Sequence, residues 1–488
     1  MMNRDGQYIL LPSSGLRSET GAARNLLESM TASFHAGATT MGVDGAALQV
    51  QVLDVVQENG AKLVATDSAT ADAINNSPIP LRAVPVIEYP KPRIRPFLNQ
   101  VATTAPAAAR TITLTCVDAA TGQPLQGATA VAFTDFANRI GDQGSSDAQG
   151  QVRLRLSGAA IERLYVYAPA NYWSAFRSGL PVANAQIGLT PVDLAYVDSV
   201  RHYYGQSRFD LAAQVRVGVL DTGCGPHPDL NLQPGHATVT GEPDDAADVD
   251  IHGTHVAGLI GASGGLRGVA PGVPIYPYRV FPADGGGATN YAILKAMILA
   301  AGAQCDIINL SLGGGPFDDI VAESIQDARN QGMLVVIAAG NDGRGAVSFP
   351  AAYPGALAVS AMGREGTFPP GSLHEAEVQR PPHSQIDPAE FIADFSNVGL
   401  QICVTAPGVG TLSTLPGGGH GPLSGTSMAA PVVAGAAASL LSQDPTIMGM
   451  PRNRMRSDAI FNMVTQNSVR RRFGAIFEGF GLPDPDMV

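Results

Sequence analysis

Apolar and polar positions over residues 1–90 form short patterns of two kinds. Residues 48–56 alternate with a period of two, which predicts a strand, and Asn59-Gly60 provides a hairpin turn into a second strand at 62–66. Helical patches precede and follow this hairpin, and a last strand is expected at 82–89. The order strand, helix, strand, strand, helix, strand predicts a small α+β domain of the ferredoxin-like, split βαβ type.

A run rich in proline and alanine over residues 91–110 predicts a semi-rigid linker. Residues 111–190 then carry short alternating strands separated by turn signals, with a glycine-rich and acidic break at 141–150. Regular short strands of this kind predict an all-β sandwich.

Longer apolar strands alternate with helices over residues 191–488. The strand candidates are 215–220, 275–280, 305–310, 333–338 and 357–361, and the helix candidates between them are 289–303 and 318–331. This alternation predicts an α/β domain with a largely parallel sheet covered by helices on both faces. Side chains at the carboxyl ends of its strands, such as Asp221, are expected to gather at one edge.

Composition supports several packed domains and narrows the range of partners. The chain has 488 residues, of which 45% are apolar, so it exceeds one ordinary core. A net charge of −12 gives no basic field for nucleic acid, and no apolar run reaches the ~18 residues of a membrane span. Four widely spaced cysteines suggest neither a metal knuckle nor a disulfide framework. Because no signal peptide is visible at the N-terminus, a cytoplasmic protein is expected, with secretion left open if the start site is misassigned.

Three candidate chemical groups occupy the positions that acyl transfer requires. Asp221 ends a strand, His252 begins a helix, and Ser427 stands where a glycine-rich loop becomes a small-residue helix. A serine hydroxyl needs a nearby base to remove its proton, and the free N–H groups of a helix N-terminus stabilise negative charge. A serine before a helix is also a common N-cap, so this position gains its meaning from the other two.

The flanking residues resemble those of a known family. The runs VLDTG around Asp221, HGTHVAG from His252 and GTSMAAP around Ser427 occur in the order Asp, His, Ser and resemble the motifs of subtilisin-like serine proteases. The resemblance covers residues 193 to about 470, somewhat over half of the chain, and implies that Asp221 orients His252, which acts as the base for Ser427. It implies that Asn341, in the run AAGNDG, helps to bind the oxyanion, whereas His255 is a packed residue.

The same resemblance implies a substrate groove. Substrates of this family add a strand between two glycine-rich edges, which correspond here to Gly285, Gly286 and Gly287 and to Ser311, Leu312 and Gly313. The pocket for the residue before the scissile bond is expected to be walled by Ala338, Ala339 and Gly340, with its floor near Ser348.

Residues 1–90 resemble the propeptide inhibitor domain of subtilisin-like proteases, and residues 111–190 resemble the carboxypeptidase-regulatory or transthyretin-like sandwich. The first resemblance implies that the N-terminal domain is an intramolecular inhibitor. In secreted relatives the propeptide tail passes through the active site. Because a linker and about eighty residues of sandwich intervene here, the sequence leaves that path open.

Departures from the family pattern concern metals and one insertion. The loop after His255 is too short for the tight calcium site of many secreted subtilisins, so no cofactor or metal is assigned. The acidic loop at 242–250 leaves three interpretations open: a solvated loop, a preference for basic substrates, or a weak calcium site. Residues 363–393 form an insertion that is expected to be an inert surface excursion rather than a gate.

The sequence therefore predicts a serine endopeptidase that cuts peptide or protein substrates and is held latent by its N-terminal domain, with no nucleic-acid or membrane partner. Two alternatives remain open. A transpeptidase or macrocyclase has the same scaffold, and an inactive protein of the same fold binds peptides without cutting them.

Overall fold

The structure is a computed structural model that describes residues 6–37, 40–42, 48–92, 109–378 and 381–487. Its first sheet is antiparallel, with strands in the spatial order Thr40–Gly42, Gln49–Val55, Lys62–Ala65, Gln7–Pro12 and Leu81–Pro85. Two helices, Gly21–His35 and Ser68–Asn75, pack on one face and bury the alternate residues that the period-two pattern marked. We call this unit the N-terminal domain.

The opposite face of this sheet packs on the C-terminal part of the chain. Ile9 and Leu63 form a buried cluster there with Tyr291 and Leu294. The predicted strand at 82–89 is wrong in extent, because the observed strand, Leu81–Pro85, ends at Pro85. A separate two-residue strand, Glu88–Tyr89, pairs with Ala288–Thr289 instead. Of the predicted linker 91–110, residues 93–108 lie outside the described residues, and Arg110 already begins a strand.

Two sheets form the sandwich, as its short strands predict. One contains Gln151–Leu156, Arg110–Asp118 and Ala185–Leu189, and the other contains Ala175–Pro181, Ala160–Tyr167, Thr129–Asp135 and Ile140–Ser145. The last of these strands corrects the prediction of a break at 141–150. Gly141 lies where its strand passes very close to the neighbouring strand, Thr129–Asp135. A Cβ at this position would lie 1.9 Å from the carbonyl oxygen of Ala132, so the strand needs glycine there.

The C-terminal part is built on a twisted sheet of eight described strands. In spatial order these are His236–Ala237, Ile275–Arg279, Val217–Asp221, Ile307–Leu310, Leu334–Ala338, Leu357–Arg364 and Glu390–Ile392, and Ile402–Pro407 also pairs with Leu357–Arg364. Every pairing in this sheet is parallel except that of Glu390–Ile392. The expected α/β fold is therefore present, and we call this unit the peptidase domain.

Helices cover both faces of that sheet. They are Ser199–Tyr204, His252–Gly261, Asn290–Gly302, Asp319–Asn330, Thr426–Gln443, Pro445–Met448, Arg454–Gln466 and Ala475–Glu478. A hairpin of Thr411–Leu415 and Gly419–Leu423 precedes the longest of these helices, and Ser468–Val469 pairs with Leu482–Pro483 near the C-terminus. In the described ranges, none of the helices has the length and apolar character needed to cross a bilayer.

The insertion at 363–393 is not inert, because it joins the sandwich to the peptidase domain. Its turn Leu373–Val378 is largely buried, and the N–H of Leu373 donates to the carbonyl of Ser174 at 2.9 Å. In return, the N–H of Phe176 donates to the carbonyl of Gly371 at 3.1 Å. Trp173 of the sandwich packs in the main core of the peptidase domain. The sandwich is thus anchored beside the hairpin and is not a free spacer.

Candidate active site

Ser427 lies in the first turn of the helix Thr426–Gln443, which is buried almost throughout. Pro431 is the sixth residue of this helix, so its missing N–H leaves the carbonyl of Ser427 without an intrahelical donor, and that carbonyl accepts from the Ser311 hydroxyl at 2.8 Å instead. Ser427 is 6% exposed, and its hydroxyl donates to the carbonyl oxygen of Ser311 at 3.1 Å. The serine therefore faces the strand-end loop that follows Ile307–Leu310.

Asp221 and His252 form a buried pair. Asp221 is the last residue of its strand, His252 is the first residue of its helix, and Nδ1 of His252 lies 2.7 Å from Oδ1 of Asp221. Burial alone would lower the pKa of His252, but the charge of Asp221 and its hydrogen bond outweigh burial, and the pKa is raised above its ordinary value. The pair holds Nδ1 as a donor and leaves Nε2 of His252 as the basic nitrogen.

His255 is a buried, hydrogen-bonded residue, as the sequence predicted. Its Nε2 lies 3.0 Å from the carbonyl of Thr411 and 3.1 Å from that of Gly421, so it links the helix to both strands of the hairpin. Burial lowers the pKa of His255 to about 3, and the imidazole is neutral at ordinary pH.

Asn341 follows the strand Leu334–Ala338 and is oriented by the residue before the serine. Its Oδ1 accepts hydrogen bonds from the backbone N–H of Thr426 at 2.8 Å and from the Thr426 hydroxyl at 3.0 Å. The amide nitrogen, Nδ2, lies beside Gly425, where a Cβ would be 3.7 Å away. The donor of Asn341 is therefore free to face the loop that carries Ser427.

A cavity of about 290 Å³ lies next to Ser427, and we call it the first cavity. Of the predicted binding residues, those that line it are Ser311, Leu312, Gly313, Ala338, Gly340 and Ser348, together with Asn341. Ala339 does not line it and packs in the core instead. Gly340 has φ +108, and a Cβ there would lie 2.6 Å from the Ser348 hydroxyl, so the cavity requires glycine at this position.

Residues 88–92, which we call the tail, lie along this cleft. Glu88–Tyr89 pairs with the edge at Ala288–Thr289, and Gly287 touches the carbonyl of Tyr89. Gly285 and Gly286 belong to the turn before that edge and do not line the first cavity. The final described residues of the tail, Pro90, Lys91 and Pro92, line the first cavity beside Ser427. Residues 90–92 of the tail therefore reach the cavity beside Ser427, which the sequence did not predict.

Tyr89 is the most deeply buried part of the tail. Its ring occupies the space where Gly315 lacks a side chain, since a Cβ on that glycine would lie 2.4 Å from a ring carbon. Its hydroxyl donates to Oδ2 of Asp318 at 3.4 Å. One residue further on, the ring of Pro90 lies against Gly314.

The acidic loop before His252 is bound to its surroundings at several points. Glu242 pairs with Arg279 at 2.5 Å, Asp248 accepts hydrogen bonds from Thr254, and Asp250 pairs with Lys91 of the tail. A solvated loop is therefore wrong for these three side chains. Sequence reasoning noted the charges but could not identify Lys91 as a partner, since 159 positions separate the two residues.

One group of described side chains has the composition of a metal site. His227, Asp229 and His420 each offer a ligand atom within 4.8 Å of the others. Both ring nitrogens of His227 already have partners, because Nδ1 accepts from the N–H of Asp229 at 3.1 Å and Nε2 lies 3.1 Å from the carbonyl of Gly419. The contacts of this group are those of a hydrogen-bonded loop junction.

Comparisons with known proteins by family profile and by sequence identity indicate the same family. The profile of the subtilase family matches residues 212–475, more than half of the chain. Subtilisin BL of Lederbergia lenta is 37% identical over 249 residues, which cover 50% of this chain and 83% of the relative. A subtilisin of Bacillus pumilus is 37% identical over 258 residues, which cover 51% and 85%.

The N-terminal domain and the sandwich lie before the region matched by the family profile. A solved structure of a protease from Pseudoalteromonas arctica PAMC 21717 is 29% identical, with a TM-score of 0.47 over 60% of this chain and 96% of its own. The profile match and the identities to subtilisins establish the family, and they agree with the parallel sheet described above. This chain belongs to the subtilase family and is a subtilisin-like serine endopeptidase.

Proposed function

We propose that this endopeptidase works through Asp221, His252 and Ser427. The observation that carries the proposal is the 2.7 Å contact between Nδ1 of His252 and Asp221, which leaves Nε2 as the base. In the reaction, Nε2 takes the hydroxyl proton as Oγ of Ser427 attacks the scissile carbonyl carbon. The same nitrogen then protonates the leaving amine, and water hydrolyses the acyl-enzyme.

The oxyanion requires donors that are in position before the charge develops. The backbone N–H of Ser427, at a helix N-terminus, is one such donor, and Nδ2 of Asn341 is the second. The contacts of Asn341 Oδ1 with Thr426 support this assignment, because they orient the amide so that the nitrogen is directed away from Thr426. The helix thus contributes both the nucleophile and half of the oxyanion site.

The N-terminal domain acts as the intramolecular inhibitor. The position of the tail supports this proposal, because Pro90, Lys91 and Pro92 form one side of the first cavity, where substrate residues before the scissile bond are expected to bind. Contacts outside the cleft hold the domain in place. Lys295 pairs with Asp54 at 2.7 Å, and Arg82 pairs with Glu323 at 2.5 Å.

The experiment compares the wild-type chain with Ser427→Ala for self-cleavage and for cleavage of a random peptide library. We expect both activities only in the wild type, and equal behaviour of the two proteins would overturn the mechanism. Mass spectrometry of the products separates hydrolysis from transfer to an amine, which is the transpeptidase alternative. A wild-type chain that never reacts with a fluorophosphonate, even after removal of residues 1–92, would instead support an inactive binding protein.

A further inference from the structure

We propose that a second cavity, between the sandwich and the peptidase domain, binds an apolar or aromatic side chain of the substrate on the leaving-group side of the scissile bond. The inference rests on the catalytic function proposed above. It gives the sandwich a part in substrate recognition.

The second cavity has a volume of about 280 Å³ and walls from four parts of the chain, one of which is Ile251 in the segment before His252. The sandwich contributes Tyr167 and Tyr172, the insertion contributes Leu373, and the hairpin contributes Leu415 and Leu423. Pockets that bind small ligands begin at about 300 Å³ and are lined mainly by apolar and aromatic side chains. The size and lining of this cavity therefore suit one large apolar side chain.

The position of the second cavity relative to the first is shown by two consecutive residues just before His252. Asp250 faces the acyl side, since it pairs with Lys91 of the tail, which lines the first cavity. Ile251, the next residue, lines the second cavity. The two cavities therefore lie on opposite sides of the segment that leads into His252.

The direction of the bound tail points toward the second cavity. Along the tail, Tyr89 lies at Gly315, Pro90 lies at Gly314, and the side chain of Lys91 reaches Asp250, two residues before His252. A substrate that follows the same path from its N-terminal to its C-terminal side continues past His252. Its residues after the scissile bond then reach the side of the site where Ile251 and Leu423 line the second cavity.

The walls are fixed rather than formed by chance contact. Asn171 of the sandwich makes two hydrogen bonds with His420 of the hairpin, accepting at its Oδ1 at 2.9 Å and donating its own N–H to the carbonyl at 2.7 Å. Leu373 bonds to Ser174, as described above. A pocket with walls that are already ordered loses little entropy when a side chain enters.

His374 gives a second sign of a missing ligand. It lines the second cavity, is 4% exposed, and forms a 2.8 Å hydrogen bond from Nδ1 to the hydroxyl of Ser424, three residues before Ser427. Its Nε2 is buried and has no hydrogen-bond partner among the described residues. Buried polar atoms normally find a partner, so this unpartnered nitrogen is an unusual feature of a residue in the cavity wall.

The kinetic test uses peptides that are identical before the scissile bond and carry Gly, Leu, Phe or Asp at each of the two positions after it. A coumarin amide of the same acyl-side sequence has no residues on the leaving side. We expect kcat/KM to favour Leu or Phe over Gly by roughly 10-fold or more at one of the two positions, the scale of selectivity of an apolar pocket. Active sites are counted with a fluorophosphonate so that all rates refer to competent enzyme.

Two substitutions fill the cavity, and one is a matched control. Ala168→Phe and Ala170→Phe add a ring at the cavity wall, the second at an exposed position. Ala183→Phe adds the same ring on an exposed turn of the sandwich outside the cavity. The preference for Leu or Phe should fall to within about twofold in either filled variant and persist in the Ala183→Phe control. A preference that survives both fillings, or is absent in the wild type, overturns the proposal.

A binding measurement separates this proposal from the catalytic one. In the full chain with Ser427→Ala, ligand-observed NMR compares the tripeptides Phe-Ala-Ala and Gly-Ala-Ala, which represent the leaving side alone and need not displace the tail. We expect Phe-Ala-Ala to bind at least about fivefold more tightly, and Ala168→Phe to abolish the difference. Equal binding of the two tripeptides overturns the second cavity even if catalysis proceeds as proposed. Loss of catalysis with selective binding intact overturns the catalytic proposal instead.

Discussion

The ammonium group of Lys91 pairs with the carboxylate of Asp250, two residues before His252. Each side chain is about a quarter exposed, 24% and 22%, so the pair is partly shielded from solvent. It fixes the last described part of the tail beside the residue that we propose as the base. The acidic loop thus acts on the chain's own N-terminal segment.

Removal of this charge pair should loosen the tail. We expect Lys91→Met to increase the rate of Ser427 labelling by a fluorophosphonate about fivefold, which corresponds to about 1 kcal/mol for a pair of this exposure. Arg153→Met, which removes a charge from an exposed sandwich position, serves as the control and should leave the rate unchanged. An Asp250→Lys, Lys91→Asp double variant should restore slow labelling. Equal rates for Lys91→Met and wild type would remove the pair from the latency mechanism.

Tyr89 should contribute more to latency than Lys91. Truncation of a buried aromatic side chain typically costs about 3–5 kcal/mol, so Tyr89→Ala is expected to accelerate labelling on the order of 100-fold or more. Tyr89→Phe keeps the ring beside Gly315 and loses the hydroxyl contacts with Asp318 and Tyr353, so it should stay within about threefold of wild type. Similar acceleration by both substitutions would show that the hydroxyl, not the ring, holds the tail.

Asn341→Ala should lower kcat with little change in KM, because its donor acts on the transition state. The loss expected is about 10²–10³-fold, or roughly 2.7–4 kcal/mol, a range taken from the equivalent substitution in subtilisin itself. Asn341→Asp is the matched variant of equal size that lacks the donor and adds charge. A kcat within a few-fold of wild type for both variants would exclude Asn341 from the oxyanion site.

Activity should fall on the acid side at a higher pH than an ordinary histidine would give. The base must be neutral, and Asp221 raises the pKa of His252, so protonation removes activity as pH falls through a value above about 6.5. The pH profile of kcat/KM for a coumarin amide measures this limb. In Asp221→Asn the residual activity should show its acid limb at lower pH. An unchanged limb would mean that another group controls it.

His255 should make the free energy of unfolding depend on pH below about 6.5. Its pKa is about 3 in the folded chain and about 6.5 when unfolded, so the unfolded state binds the additional proton between these values. The contribution of His255 to the free energy of unfolding therefore falls by about 1.4 kcal/mol per pH unit as pH drops from about 6.5 toward 3. Urea unfolding of wild type and His255→Asn from pH 7 to 4 should show a difference in the free energy of unfolding that shrinks as pH falls, and a difference that stays constant over this range would contradict the prediction.

The sequence predicted the elements that depend on local pattern and failed where distant segments meet. The strand ending at Asp221 and the helix starting at His252 follow from apolar runs and small-residue spacing, and both are present. The strand Ile140–Ser145 was missed because its glycines read as a turn, although Gly141 is needed for close strand contact. The path of the tail and the docking of the insertion depend on contacts across more than 150 residues, which no local period records.

The contacts that hold the N-terminal domain have a consequence for any break in the backbone between residues 92 and 109. Under the inhibition proposed above, the domain is present before such a break at a fixed effective concentration, because it is part of the same chain. After it, the domain remains bound only through the Tyr89 strand pairing, the apolar face around Ile9, and ion pairs such as Lys295 with Asp54. Inhibition then becomes bimolecular, so dilution relieves it, and salt relieves it further by screening the ion pairs.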